Sequence, residues 1–319
     1  MIEKVDTEIE NLANKIFVKP FTLHKIEGGL FNKIVKAHLS NSNVFIKKFT
    51  NKAEAGCYPP LPTSAAQRFT VACKWHNMSI EASKMCNGVN VPKIISLYDD
   101  LFIIVMDEVK GKPLYEYLLN DHCIDNEILE KIIFFLAKLH NMTINNKNML
   151  YSSSNEFKKF KIKLQYNDMF NYIPIEFISK LEKFILNYIN TNCDLIHGDI
   201  NSRNILIEKN EISIIDFEQG QLGEGIYDIS YIISEYVIQG IRLNSDIETM
   251  IKKNWYLYCD ARKSSDLTNQ YAAFRLHLAF QTLYRLKGPS RHIWSNHVNN
   301  DKKNKIIHWC YYEIKLWIN

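Results

Sequence analysis

The stretch from Ile196 to Glu218 constrains this chain more than any other. Ile196-His197-Gly198-Asp199-Ile200-Asn201-Ser202-Arg203-Asn204 runs into Ile205-Leu206-Ile207-Glu208, then Lys209-Asn210-Glu211, then Ile212-Ser213-Ile214-Ile215-Asp216-Phe217-Glu218. Two short apolar runs around a polar turn predict a β-hairpin. A hairpin returns the chain to its starting end, so Asn204 and Asp216 are expected side by side, with Asp199 held on the loop that enters the first strand. Amide and carboxylate oxygens suit a hard ion such as Mg²⁺, which usually arrives bound to phosphates. A third carboxylate nearby, free of metal, can orient a hydroxyl and take its proton. Together these parts describe the machinery of phosphoryl transfer.

Taken singly, each residue has a plainer reading, because Asn and Asp cap many turns. The joint pattern is harder to explain that way. An H-G-D, an Asn five residues on and a hairpin ending in Asp-Phe-Glu have few structural reasons to occur together.

The residues His197-Gly198-Asp199, Asn204, Ile215-Asp216-Phe217-Glu218 and Asp228 resemble the aminoglycoside phosphotransferase and choline kinase-like family, a branch of the protein-kinase-like fold. The resemblance implies a two-lobed α+β fold: a small antiparallel-sheet lobe with one helix (1–107), then a larger, mainly helical lobe (108–319). It implies that Asp199 is the catalytic base, that Asn204 and Asp216 bind Mg²⁺, and that Asp228 braces the catalytic loop. The cosubstrate would be ATP or GTP, and the acceptor a small hydroxyl compound.

Around that centre the N-terminal third reads as successive strands. Gly28-Gly29 turns between strands 21–27 and 33–39, where such kinases lay a loop over the phosphates; two glycines let backbone N–H groups approach an anion, though a plain hairpin turn fits equally. On the next strand, Val44–Phe49, the V-A-I-K register selects Lys47 to pair the phosphates, with Lys48 as the alternative. Residues 64–85 are helical in pattern, and Glu81 is the expected carboxylate partner of Lys47. After the unbroken apolar strand Leu101–Met106, the run Asp107-Glu108-Val109-Lys110-Gly111-Lys112-Pro113 reads as the interlobe hinge, with Asp107 and Val109 presenting backbone to the base.

Farther along, the helix 127–142 carries His140, read as a buried structural histidine, and 145–168 reads as a polar surface excursion. Only twelve positions separate Asp216 from Asp228 and no A-P-E follows, which disfavours a peptide substrate. Arg203 could neutralise charge on the transferred group or be an ordinary loop arginine. Within Tyr271–Lys287, His277, Gln281 and Arg285 form one polar stripe on an otherwise apolar helix, with Arg275 nearby. Glu218, Arg275, His277 and Arg285 are therefore candidate acceptor contacts.

Bulk properties narrow the remaining choices. A net charge of +4 over 319 residues demands no nucleic-acid partner. The apolar run at 101–106 is far too short for a membrane span, and the polar, acidic first ten residues do not read as a signal peptide. Seven scattered cysteines without a C-x-x-C pair favour reduced thiols and a cytoplasmic location; separately, a monomer or homodimer is expected. From Gly225 onward there are 13 Lys and Arg against 8 Asp and Glu, so a neutral or anionic acceptor, such as a sugar, is expected over a polycationic aminoglycoside. An aminoglycoside-type resistance enzyme, a protein kinase and a non-catalytic scaffold are the alternatives; a scaffold would be expected to lack one of Lys47, Asp199, Asn204 or Asp216.

Overall fold

The computed structural model describes residues 5–26, 31–51, 59–120, 125–142, 156–262 and 265–318. Helix α1 (Thr7–Ile16) starts where the Asp6 carboxylate accepts the N–H groups of Glu8 and Ile9. Strands β1 (Thr22–Ile26), β2 (Asn32–His38) and β3 (Asn43–Phe49) follow, then helix α2 (Ala65–Ser83), opened by a Ser64–Gln67 capping box. After the two-residue β4 (Val89–Asn90) come β5 (Ile94–Tyr98) and β6 (Ile103–Asp107). The small-lobe sheet is antiparallel in the order β1-β2-β3-β6-β5. Its interior strand β6 is buried on both faces over Ile103–Val105, as its continuous apolar run requires.

Alternation along β3 decides what the sheet presents to each side. Val44 and Ile46 join Val35, Ala37, Ile103 and Val105 in a core against Ile9, Leu12 and Ala13 of α1. Phe49 faces the other way and packs with Phe69, Ala72 and Ile104 on the α2 side. Lys47 shares that second face, so the strand period carries it into the space between the lobes.

The large lobe begins with β7 (Lys112–Pro113), α3 (Leu114–Leu119) and α4 (Asn126–Asn141). It continues through α5 (Glu156–Gln165), α6 (Ile175–Asn190), β8 (Asp194–Ile196), β9 (Ile205–Glu208), β10 (Glu211–Ile214) and β11 (Gln221–Gly223). Five helices complete it: α7 (Gly225–Leu243), α8 (Ile247–Arg262), α9 (Tyr271–Lys287), α10 (Arg291–Ser295) and α11 (Asn300–Trp317). The predicted hairpin is present as β9–β10, with Ile205 opposite Ile214 and β4 and β7 flanking it. Helices α7 and α9 are buried on nearly all sides, which explains their almost continuous apolar sequence.

One expectation needs correction here. The 145–168 stretch is not simply a surface excursion: its described part contains α5, whose Phe157, Lys158, Lys161, Ile162, Leu164 and Gln165 are all buried. Residues 143–155 lie outside the described residues, as do residues 52–58 of the proline-bearing stretch 51–63, for which the sequence predicts a loop.

Candidate active site

The loop from His197 to Asn204 is shaped by Asp228, in the first turn of α7. Its two carboxylate oxygens accept the backbone N–H groups of His197 (2.6 Å) and Gly198 (3.0 Å). His140 supports the same carboxylate through Nε2 at 3.3 Å and meets the Tyr258 hydroxyl through Nδ1 at 2.8 Å. It is fully buried, as expected of a structural histidine. Gly198 has φ of 79°, and a Cβ there would lie 2.2 Å from the carbonyl oxygen of Gln219. Only glycine accommodates that turn without strain. His197 accepts the Asp199 N–H at Nδ1 and donates from Nε2 to the carbonyl of Ile215 (3.1 Å), which ties the loop to the strand carrying Asp216.

Asn204 and Asp216 meet where the hairpin closes. The Ile215 N–H donates to the Asn204 carbonyl at 3.0 Å, and both side chains border the same cleft with Asp199. The Asn204 amide nitrogen is held by the Asp199 carbonyl at 2.9 Å, so its side-chain oxygen is the end left for a cation. Asp216 has φ of 70°, an uncommon left-handed conformation for aspartate that turns its side chain toward Lys47. One carboxylate and one amide oxygen fit Mg²⁺, which keeps waters and takes substrate phosphates as its remaining ligands. Among the described residues no three His, Cys, Asp or Glu side chains form an all-protein metal cage.

Lys47 lies 2.5 Å from Asp216 and 3.5 Å from Glu218. Burial would lower its pKa, but the Asp216 and Glu218 carboxylates raise it above the ordinary lysine value, so it is charged. Burial would likewise raise Asp216, yet the Lys47 ammonium holds it below the usual carboxylate range. Glu218 is pushed up by its own burial despite Lys47, with the neighbouring Asp216 charge adding to the rise. Glu218 also accepts from Asn32 (2.6 Å) and from Arg68 of α2 (3.3 Å).

Glu81, in contrast, is exposed and pairs with Lys84 at 2.6 Å on the outer surface. The reason is rotational: the α2 face that turns to the site carries Arg68, Ala72 and His76, whereas Glu81 falls on the opposite side. Val109 borders the cleft, but Asp107 does not; its N–H donates to the Lys93 carbonyl inside the sheet edge. Gly28 and Gly29 lie outside the described residues. The cleft itself has a volume of about 550 Å³. It runs from Phe45, Ile104 and Met106 in the small lobe to Arg203, Tyr115, Tyr231 and Tyr284 at the end bordered by Asp199.

Three of the four candidate acceptor residues do not reach this cleft. Arg275 is buried between Glu313 (2.6 Å) and Glu248 (2.9 Å), clamping α8 and α11 to α9. His277 sits fully buried among Tyr166, Phe184, Tyr188 and Tyr227, its pKa lowered by burial, with Nδ1 2.6 Å from the Tyr166 hydroxyl. Arg285 stands behind Tyr231, paired with Glu235 at 2.7 Å. On a helix buried all round, a polar stripe found protein partners. The sequence reading missed Arg68, Asn32, Gln219, Tyr231 and, above all, Lys161, whose Nζ lies 2.7 Å from Asp199. The spacing of Phe157, Phe160, Ile162 and Leu164 was the available signal for the helix that carries it.

A model of the phosphotransferase enzyme family matches residues 80–250. The chain belongs to that family. Protein LicA of Haemophilus influenzae is 26% identical over 141 residues, a match that takes in 41% of this chain and 41% of LicA. Among solved structures, a choline kinase from Cryptosporidium parvum Iowa II superposes with a TM-score of 0.57 at 16% identity, covering 98% of this chain and 99% of that one. The ADP-bound aminoglycoside phosphotransferase APH(2'')-Ib gives 0.51 at 14% identity, covering 99% and 100%. These structural likenesses establish the kinase-like fold of this family member.

Proposed function

We propose that this protein transfers the γ-phosphoryl group of ATP or GTP to a hydroxyl of a small neutral or anionic acceptor. The observation that carries the reading is the convergence of Asp199, Asn204, Asp216 and Lys47 at one end of an interlobe cleft. Residues 1–107 supply the nucleotide side, with Lys47 gripping the phosphates, and residues 108–319 supply the loop and acceptor side. Asp199 orients the acceptor hydroxyl and receives its proton as the oxygen bonds to phosphorus and the nucleoside diphosphate leaves. Asn204 and Asp216 would hold Mg²⁺, which when bound offsets the charge of the phosphates. Arg203, exposed on the rim of the cleft, can add positive charge beside the transferred group. The ADP named for the related aminoglycoside phosphotransferase supports an adenine nucleotide.

The acceptor class is argued from charge. One cation after another surrounds the Tyr231 ring, with the Arg285 guanidinium 4.3 Å and the Lys161 ammonium 5.3 Å from its centroid. Both cations are paired with carboxylates, Glu235 and Asp199, but they already occupy the ring as its cation partners, which leaves it a poor seat for a cationic acceptor. Next to Ser290 at the acceptor end, a second hollow of about 540 Å³ is bordered by Lys287, Arg291 and His292 against the single carboxylate of Asp168. An acid-bearing sugar would gain from this basic flank, and a polycationic aminoglycoside would not. The test is a screen with MgATP or MgGTP against neutral sugars, sugar acids, amino alcohols and aminoglycosides. Turnover on a sugar or sugar acid supports the reading; turnover confined to aminoglycosides or amino alcohols refutes the acceptor class. Asp199→Asn should abolish transfer while leaving nucleotide affinity within about twofold.

A further inference from the structure

Helix α5 delivers a lysine to the base. The Lys161 side chain is 3% exposed and its Nζ reaches Asp199 Oδ1 at 2.7 Å. Burial would lower its pKa, but the Asp199 carboxylate more than compensates, and the side chain is an ammonium. Enclosing such a charge is costly unless it is paired, so the pair is held in place by the cost of separating it. The catalytic loop does not need it for shape, because Asp228 already fastens the backbone of His197 and Gly198.

The two oxygens of Asp199 are held unequally. Oδ1 has the charged donor at 2.7 Å, whereas Oδ2 receives only two long amide contacts, from Asn204 Nδ2 at 3.4 Å and Gln219 Nε2 at 3.3 Å. A charge-assisted bond at the shorter distance is the stronger restraint.

We propose that Lys161 is a positioning residue for phosphoryl transfer: by fixing Asp199 Oδ1, it leaves Oδ2 as the oxygen that meets the acceptor hydroxyl. The proposal rests on the reading of Asp199 as the base. In the step it serves, the hydroxyl proton passes to Oδ2 and the acceptor oxygen forms its bond to the γ-phosphorus. The bond from that phosphorus to the bridging oxygen breaks, and its electron pair stays on the departing diphosphate. Lys161 neither gives nor takes a proton. Without it the carboxylate rotates, and a misplacement of about 1 Å at a reacting group costs on the order of 10²-fold in rate.

The experiment is a double-mutant cycle on Lys161 and Asp199, read as phosphate release from MgATP with water as the acceptor. Lys161→Met should lower kcat about 10²-fold while leaving KM for ATP within about twofold. Lys161→Arg should recover part of the loss, and the double variant with Asp199→Asn should be no slower than Asp199→Asn alone. Effects that multiply, or a loss confined to KM or thermal stability, overturn the proposal. Should Lys161→Met fail to fold, Lys161→Gln takes its place in the same cycle. Wild-type protein that releases no phosphate, or an Asp199→Asn variant as active as wild type, counts against the kinase reading and the proposal together. An active wild type with an inactive Asp199→Asn and an unaffected Lys161→Met defeats the proposal alone.

Discussion

Glu218, two residues beyond Asp216, accepts a hydrogen bond from Arg68 in the first half of α2 at 3.3 Å, and both side chains are almost wholly buried. The second carboxylate at Lys47 therefore comes from the strand-end motif and not from Glu81. Glu218→Gln is expected to raise KM for the nucleotide about tenfold, since hydrogen bonds to charged groups are worth about 1.5–3 kcal/mol. Glu81→Gln should leave kcat and KM unchanged and shift stability by less than about 0.5 kcal/mol. Steady-state kinetics on the two variants separate these outcomes.

Arg275 is a structural clamp. Its substitution by Met leaves Glu313, 1% exposed, without its cation, and removing one partner of a buried pair costs about 3–5 kcal/mol. Chemical denaturation should record that loss while KM for the acceptor stays unchanged. A raised acceptor KM in a protein of normal stability would restore the substrate role first expected of Arg275.

Asp6 links the cap of α1 to Lys33 and Lys48 of the sheet. Burial would raise its pKa, but the two lysines and the Ile9 N–H bring it down to about 2. A carboxyl depressed in the folded state stabilises fully above its unfolded pKa and loses that contribution as pH falls toward the folded one. Asp6→Asn should thus lower Tm near neutral pH, with about 1 kcal/mol at stake after solvent screening. The gap between the two proteins should narrow as pH falls from about 3.8 and close only below about 2. A pH series of thermal melts measures it.

Gly198→Ala tests the loop. A left-handed conformation costs a residue with a Cβ roughly 1–2 kcal/mol, and here that atom would also collide with the Gln219 carbonyl. Turnover should fall by at least about tenfold, the factor corresponding to 1.4 kcal/mol, because Asp199 is displaced with its neighbour. Normal activity would mean that the loop tolerates a different path.

What was legible in the sequence was local. The 204–216 hairpin and the helix that buries His140 follow from short spacings whose period is set by a strand, a turn or a helix, while the Asp228 brace and the choice of Lys47 came from the family resemblance, with strand alternation in support of Lys47. What escaped depends on how distant elements rotate against each other. Nothing in the spacing of α2 says that Arg68 faces the site and Glu81 faces water. Nor does a lysine-rich helix announce which lysine will be enclosed, as Lys161 is beside Asp199. The stripe of His277 and Arg285 on α9 was correctly seen as needing partners; those partners proved to be neighbouring protein residues.

Trp75 bears on how such a cleft works. Its indole N–H donates to the Ile196 carbonyl at 2.8 Å, and Gly220 leaves room for the ring, so mid-α2 is anchored beside the catalytic loop. Farther back on the same helix, Phe69 and Ala72 are packed under the five-stranded sheet. A helix gripped on one side by the sheet and on the other by the loop acts as a strut: rocking one lobe away from the other would tear either the indole bond or the phenylalanine cluster. The width of the cleft is thus tied to both contacts, and loosening either one would let the two lobes part.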